Sequence, residues 1–276
     1  MFPVSMQDSV SLPSDVEMPL LGFGTFKSAP GKETERAVLA ALEVGYRSID
    51  TASLYGNEQD VGAAIRASGV PRESIFVATK VWNDDQGYER TLAAFDLSLE
   101  RLGLDYVDLY LVHWAIPALM AETWRAMQAL LGSGRTRAIG VCNHTVHHLE
   151  ALLALAETPP AVNQVEFHPR LQQPALERYC REQAIALEAW APIMRGRVAE
   201  IPELVEIGAR YGKTPAQVSL RWMLQLGVIA IPKSVHEARI RENADVFDFD
   251  LSEGEMAAIA ALDTGERLGP DPTRFD

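Results

Sequence analysis

The stretch VDLYLVHW, residues 107–114, is a strand-length apolar run that stops at a histidine. The same construction recurs in IFVATKVW, residues 75–82, which closes on Lys80, and in RSIDTASLYGNE, residues 47–58, where Asp50 ends the run and Tyr55 follows it. Short continuous apolar runs fit strands buried on both faces and joined through helices. Eight such runs lie near Leu21–Gly24, Ser48–Asp50, Ile75–Thr79, Val107–His113, Ala138–Val141, Val162–Val165, Ala186–Ala189 and Val228–Ile231. Between them apolar residues recur at helical spacing: Val38, Ala41, Leu42 and Gly45; Leu92, Phe95, Leu99 and Leu102; Val146, Leu149, Leu153 and Ala156. The alternation predicts an α/β fold, an eight-stranded parallel (β/α) TIM barrel forming one domain over residues 1–276.

Two additions to the barrel are expected. The mixed segments Ser9–Leu12 and Val16–Pro19 predict a β-hairpin that plugs the N-terminal mouth. Capping boxes at Thr214–Gln217 and Ser252–Glu255 predict two helix starts, the second opening an extra helix after the eighth unit.

In a parallel barrel the C-terminal strand ends converge on one pocket. The strand assignment puts Asp50, Lys80, His113, Asn143, Gln164, Trp190 and Lys233 at those ends, all expected to face one cavity. A tyrosine beside a lysine and an aspartate is a phenol whose pKa a cation can draw down from about 10, which suits a proton donor near neutral pH.

The formal charge of −13 over 276 residues argues against a nucleic acid or an anionic membrane as partner. Two cysteines, Cys142 and Cys180, make no disulfide framework, and the opening MFPVSMQDSV lacks the regions of a signal peptide. No apolar stretch approaches the roughly eighteen residues of a membrane span. The expectation is a cytoplasmic protein, monomeric or at most a weak dimer.

From about Val10 to its C-terminus the chain resembles the aldo-keto reductase superfamily. The resemblance rests on GFGTFK, SIDTASLYGNE, VATKVWNDDQGY, LDYVDLYLVHW, RAIGVCNH, VNQVEFHP, LEAWAP and IPKSVHEARIREN, in the family's order and spacing. The look is nearest to short bacterial members that reduce glyoxal, methylglyoxal and related dicarbonyls, or 2,5-diketogluconate, and the closing RLGPDP fits that branch. The resemblance implies NADPH-dependent reduction of small carbonyl compounds, with Tyr55 as general acid, His113 orienting the carbonyl, and Lys80 paired with Asp50 to tune the phenol.

For the cofactor it implies Thr25 among the contacts, with Cys142, Asn143 and Gln164 near the carboxamide of the nicotinamide, Trp190 stacking on the ring and Ala191 near the pyrophosphate. Lys233, Ser234, Val235 and Arg239 match the positions around the 2'-phosphate, and Glu242 and Asn243 those near adenine. Phe26 matches the rim of the substrate pocket, while Trp82 and Trp114, close after Lys80 and His113, are expected as pocket walls, with plain core packing as the alternative. Three positions depart from the usual residue: Cys142 and Ala191 stand where serine is common, and Phe26 where tryptophan is. No metal is implied.

Plainer readings stand beside these. Lys233, Arg239 and Arg241 could be a solvated helix face, and His144 with His148 has metal-pair spacing but no third ligand, which favours a surface or capping role. In GFGTFK, Lys27 occupies the place of a third fingerprint glycine, so a strand and turn are expected there. His168 before Pro169 reads as structural. Two rival functions are a redox-sensing barrel subunit that binds nicotinamide without turnover and a hydrolase with paired carboxylates. Histidine and glutamine at the fourth and sixth strands speak against the second.

Overall fold

A computed structural model describes residues 2–275. The chain opens with β1 (Ser9–Leu12) and β2 (Val16–Pro19), paired antiparallel in the register Ser9↔Pro19. Leu12, Val16 and Met18 are buried, and Leu20, just beyond β2, leads into the start of the first barrel strand. The hairpin therefore sits at the N-terminal end of the barrel, as expected.

The barrel then alternates strand and helix. It comprises β3 (Phe23–Gly24), α1 (Lys32–Val44), β4 (Ser48–Asp50), α2 (Glu58–Ala67), β5 (Phe76–Val81), α3 (Tyr88–Leu102), β6 (Val107–Val112) and α4 (Met120–Gly132). The second half comprises β7 (Thr136–Cys142), α5 (Val146–Leu153), β8 (Val162–Glu166), α6 (Pro174–Glu182), β9 (Ala186–Trp190), α7 (Pro202–Tyr211), α8 (Pro215–Leu226) and β10 (Ile229–Ala230). After the last strand come α9 (Glu237–Ala244) and α10 (Glu253–Ala260).

Strands β3 to β10 pair in parallel and in sequence order. Closure is brief: Leu21 bridges Ala230, and Gly22 N and Gly24 N donate to Ala230 O and Pro232 O. The eighth run is cut to two strand residues because Pro232 has no N–H to continue the ladder. Every residue of β5, β6 and β8 is buried, which is why their sequences lack the alternation of a half-exposed strand.

Three local readings are corrected. Gly45 caps α1 instead of continuing it, at φ 118, a conformation that favours glycine. The third helical stretch ends at Leu153, before Ala156. β8 runs on to Glu166, so Glu166 is its last residue and Gln164 lies deeper, level with Cys142 and Glu188. The capping boxes at Thr214 and Ser252 both form.

Candidate active site

At the C-terminal ends of the strands, buried charges and amides form two adjoining hydrogen-bonded groups. Lys80 lies within β5 with its side chain fully buried, and Nζ donates to both oxygens of Asp50 at 2.7 Å and to Thr51 O at 2.8 Å. Its remaining close partner is Tyr55 Oη, at 3.5 Å. Tyr55 lies in the turn after β4, held there because Thr51 Oγ1 donates to Asn57 Oδ1 while Asn57 Nδ2 donates to Thr25 O.

Lys80 carries its charge firmly, since the Asp50 carboxylate raises its pKa despite the burial that opposes ionisation. Tyr55 departs from expectation in direction. Burial pushes its pKa above the ordinary phenol range, with the Lys80 ammonium pulling the other way and Asp50 adding to the rise. The phenol therefore stays protonated across physiological pH, 3.5 Å from a buried ammonium.

His113 stands edge-on to Tyr55 at 5.8 Å between ring centroids, and Trp82 stands edge-on to His113 at 5.1 Å. Burial, reinforced by Lys80, holds the imidazole well below its ordinary pKa, so it is neutral. Phe26, nearly half exposed, lies 5.0 Å from the Tyr55 ring and forms the rim. Trp114 is almost wholly buried, and its carbonyl accepts from Gln86 Nε2.

Asn143 takes a left-handed conformation, φ 58, just past β7. Its Nδ2 donates to His113 O at 3.0 Å, and its Oδ1 accepts from Trp190 Nε1 at 2.9 Å. Gln164 Nε2 donates to Asp50 Oδ2 and to Glu188 Oε2, each at 2.8 Å. Among the described residues the Gln164 amide oxygen accepts no hydrogen bond. Thr25 is buried, its hydroxyl donating to Asp50 O.

Six of the seven anticipated strand-end residues thus fall into two adjoining groups, Lys80, Asp50 and Gln164 in one and Asn143, Trp190 and the His113 carbonyl in the other, joined where Asn143 N donates to Gln164 O; the His113 ring enters neither, its buried Nδ1 having no partner among the described residues. Lys233 stands apart on the rim, where Nζ donates to Lys27 O at 3.1 Å and partial burial lowers its pKa. Beside it, the Ser234 hydroxyl accepts from His236 N, and Val235 is half-buried. Arg239 is exposed and makes no ion pair among the described residues, whereas Arg241 is spent on Glu237 one turn back. Glu242 accepts from the Thr214 hydroxyl at 3.0 Å, and Asn243 is buried on the inner side of α9. Ala191 has φ 54 and turns the chain sharply after Trp190.

The remaining candidates resolve simply. Cys142 is fully buried among Lys80, Asp50 and Glu188, and burial pushes its thiol pKa well up, so it lies below the mouth as a neutral thiol. His148 closes a capping box with Thr145 at the start of α5, and His144 Nδ1 meets Cys142 O at 2.8 Å; both are buried, not surface residues. Among the described residues no group of three or more His, Cys, Asp or Glu side chains is placed to hold a metal, and no helix is long and apolar enough to cross a membrane.

Sequence reasoning missed Glu188 and Glu166. Glu188 is fully enclosed, and burial beside Asp50 raises its carboxyl well above the usual carboxylate range. Its signal was available: a glutamate two positions before Trp190 shares the strand face of the site residue.

The fold alone fixes no chemistry, since the barrel hosts many; what narrows it is kinship to an oxidoreductase family. The chain belongs to the aldo/keto reductase family, which it matches over residues 20–264. It is 55% identical over 270 residues to a glyoxal reductase of Bacillus subtilis strain 168, covering 98% of each chain. Among solved structures, an aldo-keto reductase from a Medee basin deep-sea metagenome library superposes with TM-score 0.93 at 46% identity, covering 95% of this chain and 98% of that one. A point mutant of Gox0644, solved in complex with NADPH, superposes with TM-score 0.92 at 41% identity, covering 97% of this chain and 98% of that one.

The residues present fit such a dinucleotide. Gln164 offers an amide oxygen with no partner, Trp190 a half-exposed indole, and Arg239 a guanidinium with no ion pair among the described residues.

Proposed function

We propose that the protein is an NADPH-dependent reductase of small aldehydes, ketones and dicarbonyls such as glyoxal and methylglyoxal, converting them to alcohols in the cytoplasm as a single-domain enzyme. The observation that carries the reading is the buried Lys80 ammonium, which Asp50 holds in place within reach of the Tyr55 hydroxyl. Two free cysteines suit a reducing compartment.

NADPH, when bound, supplies the hydride. Gln164, Asn143 and Trp190 would hold its nicotinamide, with Thr25 and Cys142 lining the floor and Ala191 opening the turn beside the pyrophosphate. Lys233, Ser234, Val235 and Arg239 would hold the 2'-phosphate, and Glu242 and Asn243 would flank the adenine. Phe26, Trp82 and Trp114 would enclose an apolar substrate body and exclude water.

The chain's own chemistry concerns charge and protons. Reduction builds negative charge on the carbonyl oxygen, so the site needs donors already aimed at that point. Tyr55 Oη is protonated and can give its proton there, and neutral His113 can donate a hydrogen bond to the same oxygen without competing as an acid. As the phenolate forms, Lys80 stabilises it without moving, because Asp50 and Thr51 O already anchor the ammonium.

The glyoxal reductase relative favours small dicarbonyls as substrates. A panel of aldehydes, ketones and dicarbonyls, assayed by loss of NADPH absorbance and again with NADH, tests the proposal. Turnover with small dicarbonyls and NADPH is expected. Cofactor binding with no turnover on any carbonyl would favour the redox-sensing alternative.

A further inference from the structure

The residue level with Trp190 across the β8–β9 ladder is Glu166. It is buried, and its carboxyl group does not point at the charges of the site. Oε1 accepts from Leu268 N at 2.6 Å and Oε2 from Gly269 N at 3.1 Å, while Oε1 also meets Nε2 of the fully buried His168 at 3.1 Å. Two backbone amides of the C-terminal tail are thus tied to the end of a barrel strand by one side chain that β8 and His168 hold still.

The tail so held touches the indole. A Cβ built on Gly269 would lie 2.5 Å from Trp190 Cη2 and 3.3 Å from Cζ3, so the glycine backbone is pressed against the far edge of the ring. The pyrrole edge is fixed by Asn143 Oδ1, whose own amide reaches His113 O. The indole is clamped between the site on one side and the tail on the other. Upstream, the tail is anchored separately, by Glu266 on Arg170 and Arg197 and by Thr264 N and Glu266 N on Arg170 O. Among the described residues, the side-chain hydrogen bonds to the amides of 268 and 269 come from Glu166 alone.

We propose that Glu166 is a positioning residue for the nicotinamide half of the site: by latching Leu268 and Gly269 it seats the tail against Trp190 and fixes the platform on which the cofactor ring stacks. The inference rests on the proposed role of Trp190 as that platform. Glu166 touches neither substrate nor cofactor and acts through the tail. A side chain in place of the Gly269 hydrogen loosens the platform from the other end of the same latch, by forcing the indole and the tail apart.

The test uses the full-length protein carrying Glu166→Gln, Gly269→Ala, both together, or Trp190→Ala. NADPH dissociation constants come from quenching of tryptophan fluorescence, the indole environment from near-ultraviolet circular dichroism, and kcat and KM from turnover. A glutamine has one acceptor oxygen where the glutamate has two, so Glu166→Gln leaves at least one N–H donor without its partner. The NADPH dissociation constant is expected to rise roughly ten-fold, in line with a lost charge-assisted bond, with KM for NADPH following it and kcat changing less. The indole signal of the free protein should change as well.

Gly269→Ala should reproduce these effects in a folded protein. The double variant should be no worse than the more severe single, because both break one latch. If Trp190→Ala weakens NADPH but both latch variants bind it as wild type with an unchanged indole signal, this inference is wrong and the platform stands. If Trp190→Ala leaves NADPH binding intact, the platform reading fails and takes the latch's role with it. Should Glu166→Gln not fold, Gly269→Ala decides alone: wild-type binding overturns the latch, and weakened binding with an altered indole signal supports it.

Discussion

Replacing Lys80 by methionine separates the stabilising role of the buried ion pair from the catalytic role proposed for it. The ammonium donates to both Asp50 oxygens at 2.7 Å and to Thr51 O at 2.8 Å, all within a fully buried site. Its removal leaves a carboxylate whose surviving charge-assisted bond is the one from Gln164. Breaking a buried pair from one side costs about 3–5 kcal/mol. For the phenolate, a unit charge at the 3.5 Å separating Nζ from Tyr55 Oη is worth about 5 kcal/mol at an effective dielectric of about 20. The loss of Asp50's opposing charge on protonation offsets part of this, so turnover should fall by roughly two to three orders of magnitude. Urea melts measure the first quantity and NADPH oxidation at saturating carbonyl the second. A double variant, Lys80→Met with Asp50→Asn, should recover most of the stability and little of the rate, because it removes the orphaned charge without restoring a cation beside Tyr55. A single variant keeping more than a tenth of wild-type turnover, or a double variant restored in rate, would show that turnover does not depend on a cation beside Tyr55.

Cofactor choice and pH response supply two more tests. Arg239→Ala should weaken NADPH by roughly ten- to a hundredfold and leave NADH nearly unchanged, since a charged hydrogen bond contributes about 1.5–3 kcal/mol; equal losses for both cofactors would remove Arg239 from the 2'-phosphate site. Glu188 is pushed up to about 8 by burial and by Asp50. A carboxyl whose folded pKa exceeds its unfolded value stabilises the fold fully below the unfolded pKa, and that contribution is lost as pH rises through the folded one. Relative to wild type, Glu188→Gln should therefore show a smaller drop in urea midpoint between about pH 5 and pH 8. Equal drops in the two proteins would mean Glu188 is ionised throughout.

The parts of the fold legible in the sequence were those where burial leaves a one-dimensional trace. β5 and β6 read as strands because both faces are enclosed, and the capping boxes at Thr214 and Ser252 are local in sequence. Lys80, Asp50, Tyr55 and His113 were legible as a set, because each follows or ends an apolar run. What escaped depended on contacts between distant segments. Glu166 stands inside VNQVEFHP with nothing nearby in sequence to mark it, because its partners lie about a hundred residues away in the tail. The direction of the Tyr55 pKa escaped as well, because proximity to a lysine can be guessed from sequence while the depth of burial that outweighs it cannot. Lys233 was placed in the network by position alone, yet β10 ends at Ala230, ahead of Pro232, and leaves it on the rim.

In the proposed reaction Tyr55 gives its proton to a carbonyl reduced at the expense of NADPH. The most direct measurement is the turnover of Tyr55→Phe with methylglyoxal or glyoxal, alongside its NADPH dissociation constant. The phenylalanine keeps the ring beside Phe26 and His113 and removes the hydroxyl near Lys80 Nζ. A loss of roughly 10²- to 10⁴-fold in turnover with NADPH binding intact is the expected result. A variant that keeps more than half of the wild-type rate would contradict the account.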